Sequence, residues 1–321
     1  MSSEIFYGGG VSDWKFMKDL PKKSAVGASW LGLTEILNGE GVEIQIGFRP
    51  PPLKLPIKRN NHSFIGFHQP GERKKRKDTP KILRPFKSII DRVDILTTMN
   101  LAQQVKADYY VLHPYQGYKE GVTQEEKKQK SIKFIKDILI IKKLFGHKYR
   151  LCIENLNEPA YPSSVEEAIE LLKIFKKDDI GLVFDIDHHW MDFQQKQKNS
   201  PKKDYYEQLT KDLSLIVREC GPRAIETFHL AQAYYDSEDN KWVVHGLPGL
   251  KKGEKMDNAT PLIFSAPENF KGEWLNIGKV IQIIHTLVKE NSIDKMKILI
   301  EANSEEGEIA KNIKQLKEKD L

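Results

Sequence analysis

The sequence predicts a (β/α)8 barrel, and three observations carry that expectation. Short, almost unbroken apolar runs alternate with longer amphipathic ones from end to end, the pattern of a parallel sheet covered by helices. Eight such runs can be picked out, the number that closes a barrel. The 321-residue length suits one barrel, which commonly needs ~250 residues or more. No repeat at a solenoid period and no low-complexity linker divides the chain, so one domain over 1–321 is expected, with insertions at 71–88 and 246–272. An open doubly wound sheet shares this periodicity and is the alternative architecture.

Taken in order, "EIFYGGG" (4–10) is the first strand and "WLGLTEIL" (30–37) reads as a helix. "VEIQIGF" (42–48) and "SFIGFH" (63–68) are the second and third strands, followed by the helical "DILTTMNLAQQV" (94–105). "DYYVLH" (108–113) is the fourth, and the lysine-rich "SIKFIKDILIIKKLF" (131–145) leads from it to the fifth, "YRLCIE" (149–154). "SSVEEAIELLKIF" (163–175) is amphipathic and opens on serines suited to capping a helix. "IGLVFDID" (180–187) is the sixth strand, and "YYEQLTKDLSLIVREC" (205–220) separates it from the seventh, "AIETFHL" (224–230). "GKVIQIIHTLVKE" (278–290) leads to the eighth, "KILIEA" (297–302), and "EIAKNIKQLKEK" (308–319) supplies a last helix.

The apolar fraction of 39% furnishes one sizeable core, while a mean hydropathy of -0.52 describes a well-solvated exterior. No stretch approaches the ~20 apolar residues of a membrane helix, and "MSSEIFYGGG" lacks a basic-then-apolar leader pattern. A protein of the cell interior, cytoplasmic and without a membrane partner, is the expectation. Cys152 and Cys220 share no metal-type spacing and build no disulfide framework. The net charge of +6 permits an anionic partner without requiring one.

Polar residues gather where the strands finish. The third ends in His68 and the fourth in His113. Glu154 closes the fifth, and Asp185 with His188 the sixth. His229 ends the seventh, His245 lies sixteen positions later, and Glu301 ends the eighth. In a barrel those ends converge on one mouth, where active sites of this architecture lie. Imidazoles with carboxylates suit zinc, manganese or iron, and the absence of thiolates argues against a structural zinc site. Several ions could share the set, with Glu154 as the bridge between two of them. A histidine after an apolar run is otherwise a hydrogen-bonded core residue, and His62, His147 and His285 are read that way. Glu154 and Glu301 could pair with lysines, and Asp187 or His189 could face the barrel wall. A potential ligand at the same place in strand after strand weighs against that bland reading.

"FIGFHQP", "YYVLHPYQG", "CIENLN", "FDIDHHW", "TFHLAQA", "VVHGLPG" and "LIEAN" in this order resemble the xylose isomerase-like TIM barrel superfamily, and within it the endonuclease IV branch (family 2 AP endonucleases). Glu154, Asp185, His229 and Glu301 match the superfamily's metal set, and Asp185 with His188 reproduces its D-x-x-H pattern. The resemblance implies that His68 and His113 bind a first zinc sharing Glu154. Glu154, Asp185, His229 and Glu301 would then bind a second, and His188 and His245 a third. Two departures stand out. Val243 occupies the place of the aspartate that completes the third site, with Asp236 or Asp239 as substitutes from the same loop. The Tyr-Leu wedge expected after the third strand is replaced by "QPGERKKRKDTPK", whose cations Arg73, Lys74, Lys75, Arg76 and Lys77 are candidate phosphate contacts. Arg49 in "GFRPPP" is a further anion contact.

The resemblance implies a metal-dependent phosphodiester hydrolase acting on nucleic acid, similar to the abasic-site DNA endonucleases of DNA repair. Two or three divalent ions, zinc foremost and manganese or iron next, would activate a water, with Glu154 and Glu301 as its catalytic carboxylates. The first alternative is a metal-dependent isomerase or epimerase of a sugar or sugar phosphate. There one ion on Glu154, Asp185, His229 and Glu301 would hold the sugar while a glutamate moves a proton. The second alternative is an inactive barrel that binds nucleic acid or protein through its lysine-rich insertions.

Overall fold

The computed structural model describes residues 4–12, 40–45, 59–69, 87–116, 121–197, 204–231, 234–236, 241–243, 275–300, 313–314 and 317. Seven parallel strands pair in chain order: β1 (Glu4–Ser12), β2 (Gly41–Gln45), β3 (Ile65–His68), β4 (Tyr109–Leu112), β5 (Arg150–Glu154), β6 (Gly181–Asp185) and β7 (Ile225–Leu230). A short antiparallel hairpin follows, β8 (Tyr234–Asp236) with β9 (Lys241–Val243). β10 (Lys295–Ile300) then pairs with β7 on one side and β1 on the other, which closes the barrel. Closure excludes the open doubly wound sheet.

Six helices are described: α1 (Lys87–Gln104), α2 (Gln124–Leu144), α3 (Val165–Ile174), α4 (Ile186–Gln197), α5 (Tyr205–Cys220) and α6 (Ile277–Glu290). Their starts follow from local chemistry. The Thr123 hydroxyl accepts from the Glu126 amide while the Glu126 side chain reaches back, a reciprocal capping box for α2. Ser164, Asp204 and Asn276 cap α3, α5 and α6 with side-chain oxygens. No helix among the described residues is long and apolar enough to cross a membrane.

Strand alternation sorts the core into two layers. Val42, Ile44, Ile65, Phe67, Tyr110, Leu112, Leu151 and Ile153 point outward and pack under the helices. The opposite faces of the same strands fill the barrel with Phe64, Tyr109, Val111, Cys152, Val183 and Leu299. Two glycines make room for the rings at its floor. A Cβ on Gly41 would stand 1.9 Å from the Phe64 ring, and one on Gly66 would stand 2.3 Å from that of Tyr109. Both cysteines are free thiols.

Two local features depart from the expected elements. The apolar run "GLVFDI" reads as strand beyond Asp185, but β6 stops there and α4 begins at once. The reason is Asp185 itself: its Oδ1 accepts from the amides of Asp187 and His188, both at 3.0 Å, as a helix cap does. The second is a bulge in β7. Leu182 pairs with Ile225 but Val183 pairs with Thr227, so Glu226 is the extra residue. Ile225 therefore faces the helices, while Thr227 and His229 take the inward phase of Val183 and Asp185.

The bulged Glu226 anchors the floor. Its carboxylate meets the Arg150 guanidinium at 3.0 Å and also the Lys297 ammonium. Arg150 reaches on to Asp179 at 3.0 Å, and Lys297 lies over the Tyr109 ring, 5.3 Å from its centroid. Burial alone would raise the Glu226 carboxyl, but the Lys297 and Arg150 charges prevail and hold it below the usual carboxylate range. Because the folded value is depressed, its stabilisation is present above the unfolded carboxylate value (~4.3) and lost as pH falls through the folded one. Replacing Glu226 with Gln leaves two half-buried cations without the counter-charge they share, although Arg150 keeps Asp179, and should cost about 1–3 kcal/mol. Urea denaturation at neutral pH measures that loss. The gap between variant and parent should narrow as both are acidified.

Candidate metal centre

The residues expected at the mouth arrive there from separate strands. His68 is the last residue of β3, His113 follows β4, Glu154 ends β5, Asp185 ends β6 and His229 is next to last in β7. Parallel pairing brings these C-terminal ends to one side of the barrel. Glu154, Asp185 and His229 are buried, as is His68.

Three groups of donor atoms lie within 4.8 Å of one another: His68, His113 and Glu154; Glu154, Asp185 and His229; and Asp185, Asp187 and His188. Glu154 belongs to the first two and joins them. Its Oε2 is 2.6 Å from His113 Nε2 and 3.1 Å from His68 Nε2, and its Oε1 is 3.5 Å from His229 Nδ1. The His68 and His113 rings meet edge to face with centroids 4.5 Å apart.

Partners on the outer side of each ring decide what it presents to Glu154. His68 Nδ1 donates to the Gln69 carbonyl at 2.9 Å, an acceptor only, so the neutral ring keeps a lone pair at Nε2. His229 Nε2 donates to Glu43 at 3.1 Å, which leaves the lone pair at Nδ1. Two imidazole lone pairs thus face the two oxygens of one buried carboxylate. Acceptors set against acceptors in a buried site are unfavourable by ~1–3 kcal/mol each unless a cation or proton lies between them. The donor set therefore fits a metal on the physics of its own tautomers. The Gln116 amide lies 2.9 Å from His113 Nδ1. Donating there, it leaves the His113 proton on Nε2, directed at Glu154; turned over, it frees Nε2 as a ligand.

Burial would push the Glu154 carboxyl up, but the His113 charge and the hydrogen bond that its Nε2–H donates hold it well below the usual range. Asp185 is fixed by more than its cap. The Asn155 side chain donates to the Asp185 carbonyl at 2.9 Å and accepts from the Asp185 amide at 2.8 Å, tying β5 to β6 beneath the site. His188 sits on the first turn of α4 with Nε2 3.8 Å from Asp185 Oδ2.

Other histidines are elsewhere. His189 turns away to Asp212 at 3.0 Å and Tyr205 at 3.2 Å, in the packing of α4 on α5. His147 bonds Asn100 and Tyr149, and His285 lies on α6 beside Tyr7. Arg49, Arg73, Lys74, Lys75, Arg76, Lys77, His245 and Glu301 lie outside the described residues, as do Asp239 and nearly all of both insertions. Three contributors escape a reading of the sequence: Glu43, Asn155 and Gln116. Glu43 leaves a signal, a carboxylate in the middle of the apolar "VEIQIGF" strand.

The family described as xylose isomerase-like TIM barrel matches residues 91–319. No curated protein matches the sequence. Among solved structures, a D-tagatose 3-epimerase-like protein superposes with TM-score 0.53 at 16% identity over 97% of both chains. An L-ribulose 3-epimerase gives 0.53 at 11% over 97% of this chain and 93% of its own. The 3-keto-D-glucoside 4-epimerase of E. coli gives 0.51 at 10% over 98% and 100%. Identities this low speak to the fold. They nonetheless correct the expectation of an endonuclease IV-like hydrolase of nucleic acid, because the barrels matched end to end carry the names of sugar epimerases. The physical reason is that the carboxylate–imidazole set serves both chemistries, whereas the features particular to the nuclease, the wedge and the third-site aspartate, are the ones this chain lacks.

Metal and proton compete for the same lone pairs, so affinity should rise with pH. Calorimetric titration with Mn2+ or Zn2+ should show binding at least about tenfold tighter at pH 8 than at pH 6. Glu154→Ala, which removes the shared carboxylate, should abolish it.

Proposed function

The chain belongs to the xylose isomerase-like TIM barrel family, and on that footing we propose that it is a divalent-metal-dependent isomerase or epimerase of a sugar or sugar phosphate. The observation that carries this reading is the meeting of Glu154, Asp185 and His229 within 4.8 Å at the barrel mouth. These three, joined by Glu301, would hold the ion. When bound there, a divalent cation supplies Lewis acidity to adjacent oxygens of a ketose. His68 and His113 offer room for a second ion on the other oxygen of Glu154, and zinc suits the mixed donors, with manganese or iron as the alternatives.

The remaining chemistry falls to the side chains. Epimerisation removes a proton from the carbon next to the carbonyl and returns one to the opposite face, work for positioned acids and bases. One of the two glutamates, Glu154 or Glu301, would take the proton as general base while both serve the ion. His188, at the rim on the first turn of α4, is placed to hydrogen-bond a sugar hydroxyl. The hydrophobic walls of Val111, Val183 and Leu299 below the donors keep bulk water from entering through the floor.

Proton exchange tests this reading whichever sugar is the substrate. The metal-loaded protein, incubated in D2O with a panel of ketopentoses, ketohexoses and their phosphates, should introduce deuterium beside the carbonyl of at least one. Glu154→Gln should reduce that exchange by about 10³-fold or more. Absence of exchange with every member of the panel, in protein shown to hold metal, would sink the assignment.

A further inference from the structure

Glu43 is a carboxylate that neither the barrel architecture nor the family's metal set accounts for. It sits mid-strand in β2, 3% exposed, on the face that points into the barrel. A carboxylate so placed is expensive to bury without partners. Its Oε2 accepts from His229 Nε2 at 3.1 Å, and the Tyr109 phenol lies beside it. Burial first, and then the Glu43 charge, keep that phenol well above its ordinary range, so it remains a protonated neighbour. Tyr109 and His229 are themselves fully buried.

We propose that Glu43 is the positioning residue of His229: it holds the imidazole in the Nε2–H tautomer, with Nδ1 aimed at Glu154 and Asp185. An imidazole ligand needs its outer nitrogen anchored, because a ring free to flip or to exchange tautomers spends part of its time with a hydrogen where the lone pair must be. His68 receives the same service from the Gln69 carbonyl. At His229 the anchor is a carboxylate side chain from a strand on the far side of the barrel, which also raises the basicity of the ligating nitrogen. Glu43 touches neither ion nor substrate in this arrangement; it acts through His229. The inference rests on the metal reading of the site and is independent of which sugar is turned over.

Two variants and two readouts decide it. Co2+ affinity is measured by calorimetry and by the visible absorption of the bound ion, and the His229 tautomer by long-range 1H–15N correlation on 15N-histidine-labelled protein, with His229→Asn assigning the signal. Wild type should show the Nε2–H form. Glu43→Ala should lose that preference and weaken Co2+ binding by about 10–100-fold. Glu43→Gln, whose amide oxygen still accepts from Nε2, should keep the tautomer with a loss of about tenfold or less, and it decides the matter if the alanine variant does not fold. A wild-type ring protonated at Nδ1, or a folded Glu43→Ala protein with unchanged tautomer and Co2+ affinity, overturns the proposal. Should wild type bind no Co2+, the metal reading fails by itself, and the tautomer comparison alone upholds or overturns the role of Glu43.

Discussion

Both oxygens of a single buried carboxylate, Glu154, face imidazole nitrogens whose protons are committed elsewhere. Everything around the mouth can be understood as holding that arrangement in place. It is unfavourable while the rings around the carboxylate are neutral acceptors and becomes favourable only with positive charge in the middle. In the metal-free chain, the proton on His113 Nε2 supplies it. The same geometry is a preformed trap for a divalent ion, since the ligands need not be reorganised when the proton leaves. A carboxylate shared between two donor groups also couples them, so that occupancy on one oxygen alters what the other can hold.

The barrel interior is graded to support this. At the floor, the Glu226 carboxylate lies between the Arg150 and Lys297 charges, with Asp179 as a second counter-charge on Arg150 and the rings of Phe64 and Tyr109 beneath Lys297. Above them comes an apolar belt, Val111, Cys152, Val183 and Leu299. The polar mouth lies on top. The belt separates two charged layers that would otherwise perturb each other, and Glu43, inward on β2 and bonded to His229, is where polar character reaches down from the mouth into it. Asn155 ties the ends of β5 and β6 through backbone groups, so the two most important carboxylates are held by neighbouring strands rather than by loops.

Much of this is legible in the chain. Apolar runs separated by amphipathic ones mark the strands, and a titratable residue at the end of run after run marks the mouth. What escapes does so for identifiable reasons. "GLVFDIDHHW" looks like strand through Ile186 because apolar count says nothing about capping, and Asp185 is both strand end and helix cap. Glu43 lies mid-strand, away from the strand ends where the ligands of a barrel gather. Asn155 and Gln116 act through contacts that exist only once neighbouring strands and loops are in place. The substrate is the hardest matter. His68 and His113 pull a reading of the sequence towards nucleic acid, yet ligand atoms report the cation, and it is the surrounding walls that select what the cation acts upon.

The extra residue in β7 has a consequence for how this protein can change over time. Ile225 packs against the helices while Thr227 and His229 look into the barrel, and only the bulge at Glu226 reconciles the two. Delete one residue there and either the segment above or the segment below must rotate by half a turn. Phe228 would then enter the mouth and His229 would be pressed against the outer helical layer. Point substitutions along this strand are graded injuries, whereas a single-codon deletion would be all-or-nothing. Lineages of this barrel should accordingly vary freely in loop length while keeping the residue count of this one strand constant.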